Sequence, residues 1–370
     1  MPASQPPPLT IGVEEELALV SAGDHHLVGR SADLIRRVPV DAQPFVEHEF
    51  KTSQVETVSP VCSTLDELEG HLAALRTQVS RSAGEMGCTV LASGTHPASR
   101  WQDQELTPEA AYVVLGSEYQ RLAEEQLVFG CHVHVGIDDQ DLRIAVLDRV
   151  RGWLSVLLAL TANSPFWNGE DTGFASYRYI VFSRWPTFVT PGALGDWAGF
   201  KALVDELVRS EAIDSPQRLY WTVRPSNRFP TLEFRIADAC TDLAETVMLA
   251  GLVRGLVSTA IGDVEAGRPA VALRGEIVRM AEWQAARYGL DGDLIDPIGG
   301  GTRPAVDAVR QLLDHVGPAL DDHGDRERVT GTVDRILTEG NGAQRQRAAW
   351  RSAPGVVPLL ESLTARGVSP

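Results

Sequence analysis

The chain has 370 residues, of which 44% are hydrophobic and 22% charged; this is the balance of a folded globular protein and excludes a mainly disordered one. Its formal net charge of -17 repels a phosphate backbone and excludes nucleic acid as a general partner. The apolar runs "WLSVLLALTA" and "VMLAGLVRGLVSTAIG" are too short for a bilayer or are broken by Arg254, and "MPASQPPPLT" lacks the pattern of a signal peptide, so a cytoplasmic protein with no membrane partner is expected.

Residues 1–9 read as a disordered tail and residues 10–365 as a single domain, since no repeat or long linker divides them. The first strand is "TIGVEEELALV". Side chains alternate along a strand, so Ile11, Val13, Leu17 and Leu19 share one apolar face while Glu14 and Glu16 point the other way. Glu15 falls on the apolar face, which an edge position or an arginine partner would explain. "HEFKTSQVET" follows, with Glu49 and Glu56 on either side of a short polar break.

At "STLDEL", Thr64 and Glu67 have the spacing of a capping box; Leu65, Leu68, Leu72, Leu75 and Val79 then mark one face of a helix that runs to Gly87. A strand-like "CTVLASGTHP" comes next. In "FGCHVHVGI" the odd positions from Phe129 to Ile137 are apolar, and His132 and His134 share the opposite face. In "PTLEFRIAD" Leu232, Phe234 and Ile236 alternate with Glu233 and Arg235. Further helices are expected at about 108–126, 141–161, 196–210, 241–262, 268–288 and 305–317, with a last pair near 327–365; residues 291–304 read as a loop or hairpin. The four cysteines form no CxxC pair and read as buried thiols.

Three strands with one apolar and one ionisable face predict an α+β protein: an antiparallel sheet with helices packed on one side and a polar concave face on the other. Taken singly, a Glu-rich strand or a Glu-x-Arg pair is usually solvated surface decoration. Together they place carboxylates and imidazoles on a shared face, where mutual repulsion calls for divalent cations; oxygen ligands with one imidazole suit Mg²⁺ and also Mn²⁺.

The ordered set "GVEEE", "HEFKTSQVET", "GCHVHVG", "NSPFWNGEDTGFASYR" and "NRFPTLEFRIADACTDLAETVMLAGLVRGL" resembles the bacterial carboxylate-amine ligases of the type-2 glutamate-cysteine ligase family. The resemblance implies a fold like glutamine synthetase and the guanidino kinases, ATP as cofactor, and small-molecule carboxylate and amine substrates. It implies metal ligands at Glu14, Glu16, Glu49, Glu56, His132 and Glu233, with Arg235 on the terminal phosphate. Catalysis falls to Arg235 and Glu56 on this reading. His134, on the same face one step along, is a candidate for nucleotide, substrate or metal-shell contact, with a structural role as the alternative. Arg178 and Arg184 are candidates for a substrate carboxylate, with a surface or interface role as the alternative for Arg184. Glutamate and cysteine are the default pair, with weak activity at best implied; other substrates, a guanidino-kinase-like phosphotransferase and a silent nucleotide- or metal-binding protein stand as alternatives. A homodimer is the assembly the resemblance suggests.

Overall fold

The computed structural model describes residues 9–296 and 298–365. The expected N-terminal tail therefore lies, apart from Leu9, outside the described residues.

The strands are β1 (Ile11–Ser21), β2 (Val46–His48), β3 (Gln54–Val58), β4 (Cys88–Leu91), β5 (Gly130–Gly136), β6 (Phe166–Trp167), β7 (Glu170–Asp171), β8 (Val223–Pro225), β9 (Thr231–Asp238), β10 (Asp293–Ile295) and β11 (Thr302–Pro304). Seven of them form one sheet in the order β2-β3-β1-β5-β9-β8, with β4 paired to the far end of β1. Every pairing is antiparallel. The segment read as a loop or hairpin is the β10–β11 hairpin.

One face of the sheet is apolar, as the alternation predicts. Val13, Val133 and Phe234 meet Leu68 and Leu72 of helix Leu65–Gly84 and Met248 and Leu252 of helix Leu243–Glu265 in one core cluster. The first helix starts with the expected box: the Glu67 N–H donates to Thr64 Oγ1 (3.1 Å), and the Glu67 carboxylate accepts from the Thr64 N–H. Glu15 is buried against that helix, where Arg76 donates to both its oxygens (3.0 and 2.6 Å) and Thr246 adds a third hydrogen bond (2.8 Å). Because β1 lies between β3 and β5, the arginine partner, not an edge position, accounts for Glu15.

Helix Leu243–Glu265 is long and apolar enough to cross a bilayer by composition, yet it is the central core helix. Its Arg254 is held by Asp325 and by the Ser63 carbonyl (2.7 Å). All four cysteines are buried and free.

Several helix boundaries differ from the periodicity. The stretch 108–126 is two helices, Ala110–Tyr119 and Arg121–Glu124, separated at Gln120, whose φ of 49° breaks helical geometry. The stretch 141–161 is Gln140–Val150 and Leu154–Thr161 with a 3-10 turn between. The helix expected from 268 begins at Gly275, after Pro269, and the one expected to stop at 317 continues through Pro318 to His323. The last pair is three helices, Arg326–Glu339, Gly342–Ser352 and Val356–Ser362.

Candidate functional site

Strand register assembles the polar face. Glu14 pairs with His132 and Glu16 with Glu56 across β1; His134 pairs with Glu233, and Glu233 in turn with Arg224. Each pair sits on adjacent strands with side chains to one side, so directly opposite residues are contact neighbours. Glu49 follows β2 directly and joins from the sheet edge.

Three overlapping ligand groups result: Glu14, His134 and Glu233; Glu14, Glu56 and His132; and Glu16, Glu49 and Glu56. Within each group the potential ligand atoms lie within 4.8 Å of one another. All six residues expected as metal ligands thus converge, with His134 among them, and all line one 200 Å³ pocket together with Arg224 and Arg235.

The electrostatics are those of a site short of positive charge. Burial drives the Glu49 carboxyl up to about 8, with Glu16 adding to the push, while the Phe50 N–H and Arg235 oppose it. Burial and the neighbouring carboxylates Glu14, Glu49 and Glu16 push Glu56 well above the usual range. Burial would also raise Glu14, but the hydrogen bond from His132 (3.1 Å from Nδ1) and the neighbouring His134 ring hold it well below. His132 is lowered, by burial first and then by Arg235, and is therefore a neutral imidazole able to ligate.

Both histidines keep a buried Nε2 without a hydrogen-bond partner, 3.6 Å from Glu16 Oε1 for His132 and 3.2 Å from Glu14 Oε1 for His134. The His134 ring is oriented from its other nitrogen by Thr231 Oγ1 (2.9 Å). Unpartnered imidazole nitrogens facing carboxylate oxygens, with two carboxyls pushed toward protonation, are a donor set that fits divalent cations.

At the β9 end, burial of Glu233 is outweighed by Arg235 and Arg224, which hold its carboxyl below the usual range. Arg224 grips it through two bonds (2.8 and 3.1 Å), and Arg235 binds the same carboxylate. Sequence reading missed Arg224, because β8 has only three residues; the usable signal was the alternation of Trp221 and Val223 with Thr222 and Arg224.

Arg178 and Arg184 are placed elsewhere, and neither lines the pockets around the cluster. Arg178 is wholly buried and donates to the main-chain carbonyls of Arg235 (3.2 Å) and Ile236 (3.3 Å), so it props β9 from the side. It can do so because Gly130 has no side chain: a Cβ there would lie 2.2 Å from Arg178 Nη2. Arg184 is partly exposed and pairs with Glu125, the surface alternative. The structure brings neither arginine into the cluster: Arg178's Nη atoms serve the sheet, and Arg184 pairs with Glu125.

Beside His134 lies a 270 Å³ pocket walled by Val58, Val61, Phe229 and Pro230, with Gly12 on its floor. It abuts one end of the cluster; a second, aromatic chamber abuts the other.

The description "Glutamate-cysteine ligase family 2" matches residues 10–357 of this chain. A Salinispora arenicola protein provisionally named glutamate–cysteine ligase 2 is 40% identical over 364 residues, covering 97% of this chain and 95% of its own length. One from Rhodopirellula baltica, with the same provisional name, is 37% identical over 343 residues, covering 91% and 92%. Among solved structures, a glutamate–cysteine ligase of Francisella tularensis in complex with AMP superposes with a TM-score of 0.74 at 12% identity, covering 97% of this chain and 88% of that one. A bifunctional glutathione synthetase from Pasteurella multocida gives 0.69 at 16% identity, covering 96% and 51%. At these identities the structural likeness establishes the fold.

Proposed function

The chain belongs to glutamate-cysteine ligase family 2, a family of ATP-dependent carbon–nitrogen ligases, and on that premise we propose that it joins a carboxylic acid to an amine through an acyl phosphate. The observation that carries this reading is the convergence of seven acidic and imidazole groups, His134 included, with both imidazoles keeping an orphaned ring nitrogen, between an apolar pocket and an aromatic chamber.

In this reading residues 10–365 act as one catalytic domain. Glu14, Glu16, Glu49, Glu56, His132 and Glu233 hold Mg²⁺ or Mn²⁺, with His134 as a further ligand or a nucleotide contact. Bound divalent cations supply charge neutralisation for a phosphoryl group in transfer. The nucleotide base takes the pocket bounded by Val58, Val61 and Phe229, where Val61 and Phe229 present exposed apolar surface. Arg235, oriented by its pair with Glu233, meets the terminal phosphate, and Arg224 keeps Glu233 charged and in place. Partial burial of the cluster limits the access of water, which would otherwise compete with the amine for the activated acyl group. A cytoplasmic homodimer is the proposed assembly, tested by sedimentation.

The deciding experiment supplies ATP, Mg²⁺, pooled carboxylic acids and pooled guanidino compounds, with hydroxylamine as a general amine. Hydroxamate formed in step with phosphate supports the ligase. A phosphorylated guanidine without hydroxamate points to a kinase, and nucleotide binding without any product points to a silent binder; either result overturns the proposal.

A further inference from the structure

The turn between β8 and β9, residues 226–230, stands at the mouth of the cluster. Ser226, Asn227, Arg228 and Phe229 line the cluster's pocket, and Phe229 with Pro230 also walls the apolar pocket beside His134. Hydrogen bonds brace the turn: the Ser226 N–H donates to the Thr231 carbonyl (3.0 Å), the Thr231 N–H to the Phe229 carbonyl (2.7 Å), and the Arg228 N–H to Ser226 Oγ (3.3 Å). Phe229 meets the His134 ring edge-on, 6.2 Å between centroids. The backbone of Arg228 is therefore fixed beside the residue that the two pockets share, while its side chain is 72% exposed.

Three arginines line the cluster's pocket, and two are already committed. Arg224 gives two bonds to Glu233 and one to the Leu219 carbonyl (2.6 Å), and Arg235 binds the same carboxylate. Arg228 makes no side-chain hydrogen bond among the described residues; its ion pair is with Glu47, 3.7 Å from Nη1. That partner belongs to the opposite edge of the sheet. Four strand-to-strand steps separate β2 from β9, roughly 19 Å along the sheet, so the two side chains meet across the mouth of the polar face. Glu47 stands opposite Glu56 in the β2–β3 register, and its charge adds to the push on the Glu56 carboxyl.

An exposed pair of this kind shifts an equilibrium by about fivefold at most. A polyphosphate carries several negative charges and accepts a guanidinium through two oxygens at once, so it outcompetes a single exposed carboxylate. A nucleotide whose base lies against Phe229 passes its phosphates by the neighbouring residue of the turn on the way to the cluster.

From this geometry we infer that Arg228 is a second arginine on the polyphosphate of the nucleotide, held across the mouth by Glu47 until the nucleotide arrives. The inference rests on the proposed function for the placing of base and phosphates, and it is read from binding, without turnover.

The test titrates the full chain, with Mg²⁺ present, with ATP, ADP and adenosine by calorimetry, using displacement for the weaker ligands. Both residues are exposed, so their variants keep the fold. Arg228→Gln is expected to weaken ATP and ADP at least tenfold and to leave adenosine within twofold. Glu47→Gln is expected to tighten ATP about threefold in the parent and by less than half as much in the Arg228→Gln background, since the competitor matters only while the arginine is there. Unchanged ATP affinity in Arg228→Gln, an equal loss for adenosine, or a Glu47→Gln effect of the same size in both backgrounds overturns the inference and leaves the ligase reading intact. An Arg228→Gln variant that binds ATP like the parent but needs at least tenfold more carboxylic acid for hydroxamate formation assigns the arginine to the acid, and this too overturns the inference. A parent chain that binds no nucleotide removes both readings.

Discussion

Replacing Glu49 with Gln separates what the carboxylate cluster costs from what it binds. The folded protein holds the Glu49 carboxyl at about 8, through burial and then Glu16, against an ordinary value of 4.5. Between pH 4.5 and 8 the folded state therefore keeps a proton that the unfolded state has released. Stability falls as pH rises through that window and levels off above it. A tenfold change in proton affinity is worth about 1.4 kcal/mol, so the full cost above pH 8 is on the order of 5 kcal/mol. An unfolding entropy of about 2 cal/mol/K per residue makes this roughly 6 °C of Tm for a chain of this length.

Glu49→Gln removes the titration, so in EDTA the variant should melt above the parent at pH 8.5 and close to it at pH 5. Mg²⁺ at a hundred times its Kd should stabilise the parent by about 2.7 kcal/mol, roughly 3 °C, and the variant by less than half of that. The assay is calorimetric melting at both pH values, with and without Mg²⁺. A variant that melts below the parent at pH 8.5 in EDTA, or one that keeps the full Mg²⁺ stabilisation, would refute the reasoning.

Glu233→Gln should lower hydroxamate formation by at least a hundredfold and also destabilise the fold, by about 3 kcal/mol, because Arg224 and Arg235 lose their shared counter-ion; steady-state rates and urea melts check the two effects. Arg76→Met should cost about 3–5 kcal/mol by leaving Glu15 buried without its cation, and adding Glu15→Leu should restore most of it; equal stability of the single and double variants in urea would contradict the pairing. Gly130→Ala should destabilise by about 1–3 kcal/mol through the clash with Arg178, and Arg178→Met should lower Tm while leaving the KM for the acid within about twofold. A raised KM at unchanged Tm would return Arg178 to the substrate.

Alternation along single strands was enough to tell, from the residues alone, that Glu14 and Glu16, His132 and His134, and Glu233 and Arg235 turn towards one polar face, because side-chain direction in a strand is a local property of the backbone. Equally local spacing located the Thr64 capping box. Register is not local. That Glu16 stands opposite Glu56 and His134 opposite Glu233 depends on pairings between segments up to a hundred residues apart, and only the assembled sheet decides them. Arg224 escaped notice because a three-residue edge strand is too short to show a period. Arg178 lies in a motif that suggests a ligand contact, yet the space left by Gly130 draws it beneath β9. The ring chamber gathers Phe50, Tyr112, Phe182, Trp185 and Tyr220 from four separate stretches, none with a pattern of its own. Ionisable groups on a strand announce their direction through sequence spacing, whereas the shape of a cavity is a property of packing, and packing exists only once distant segments have met.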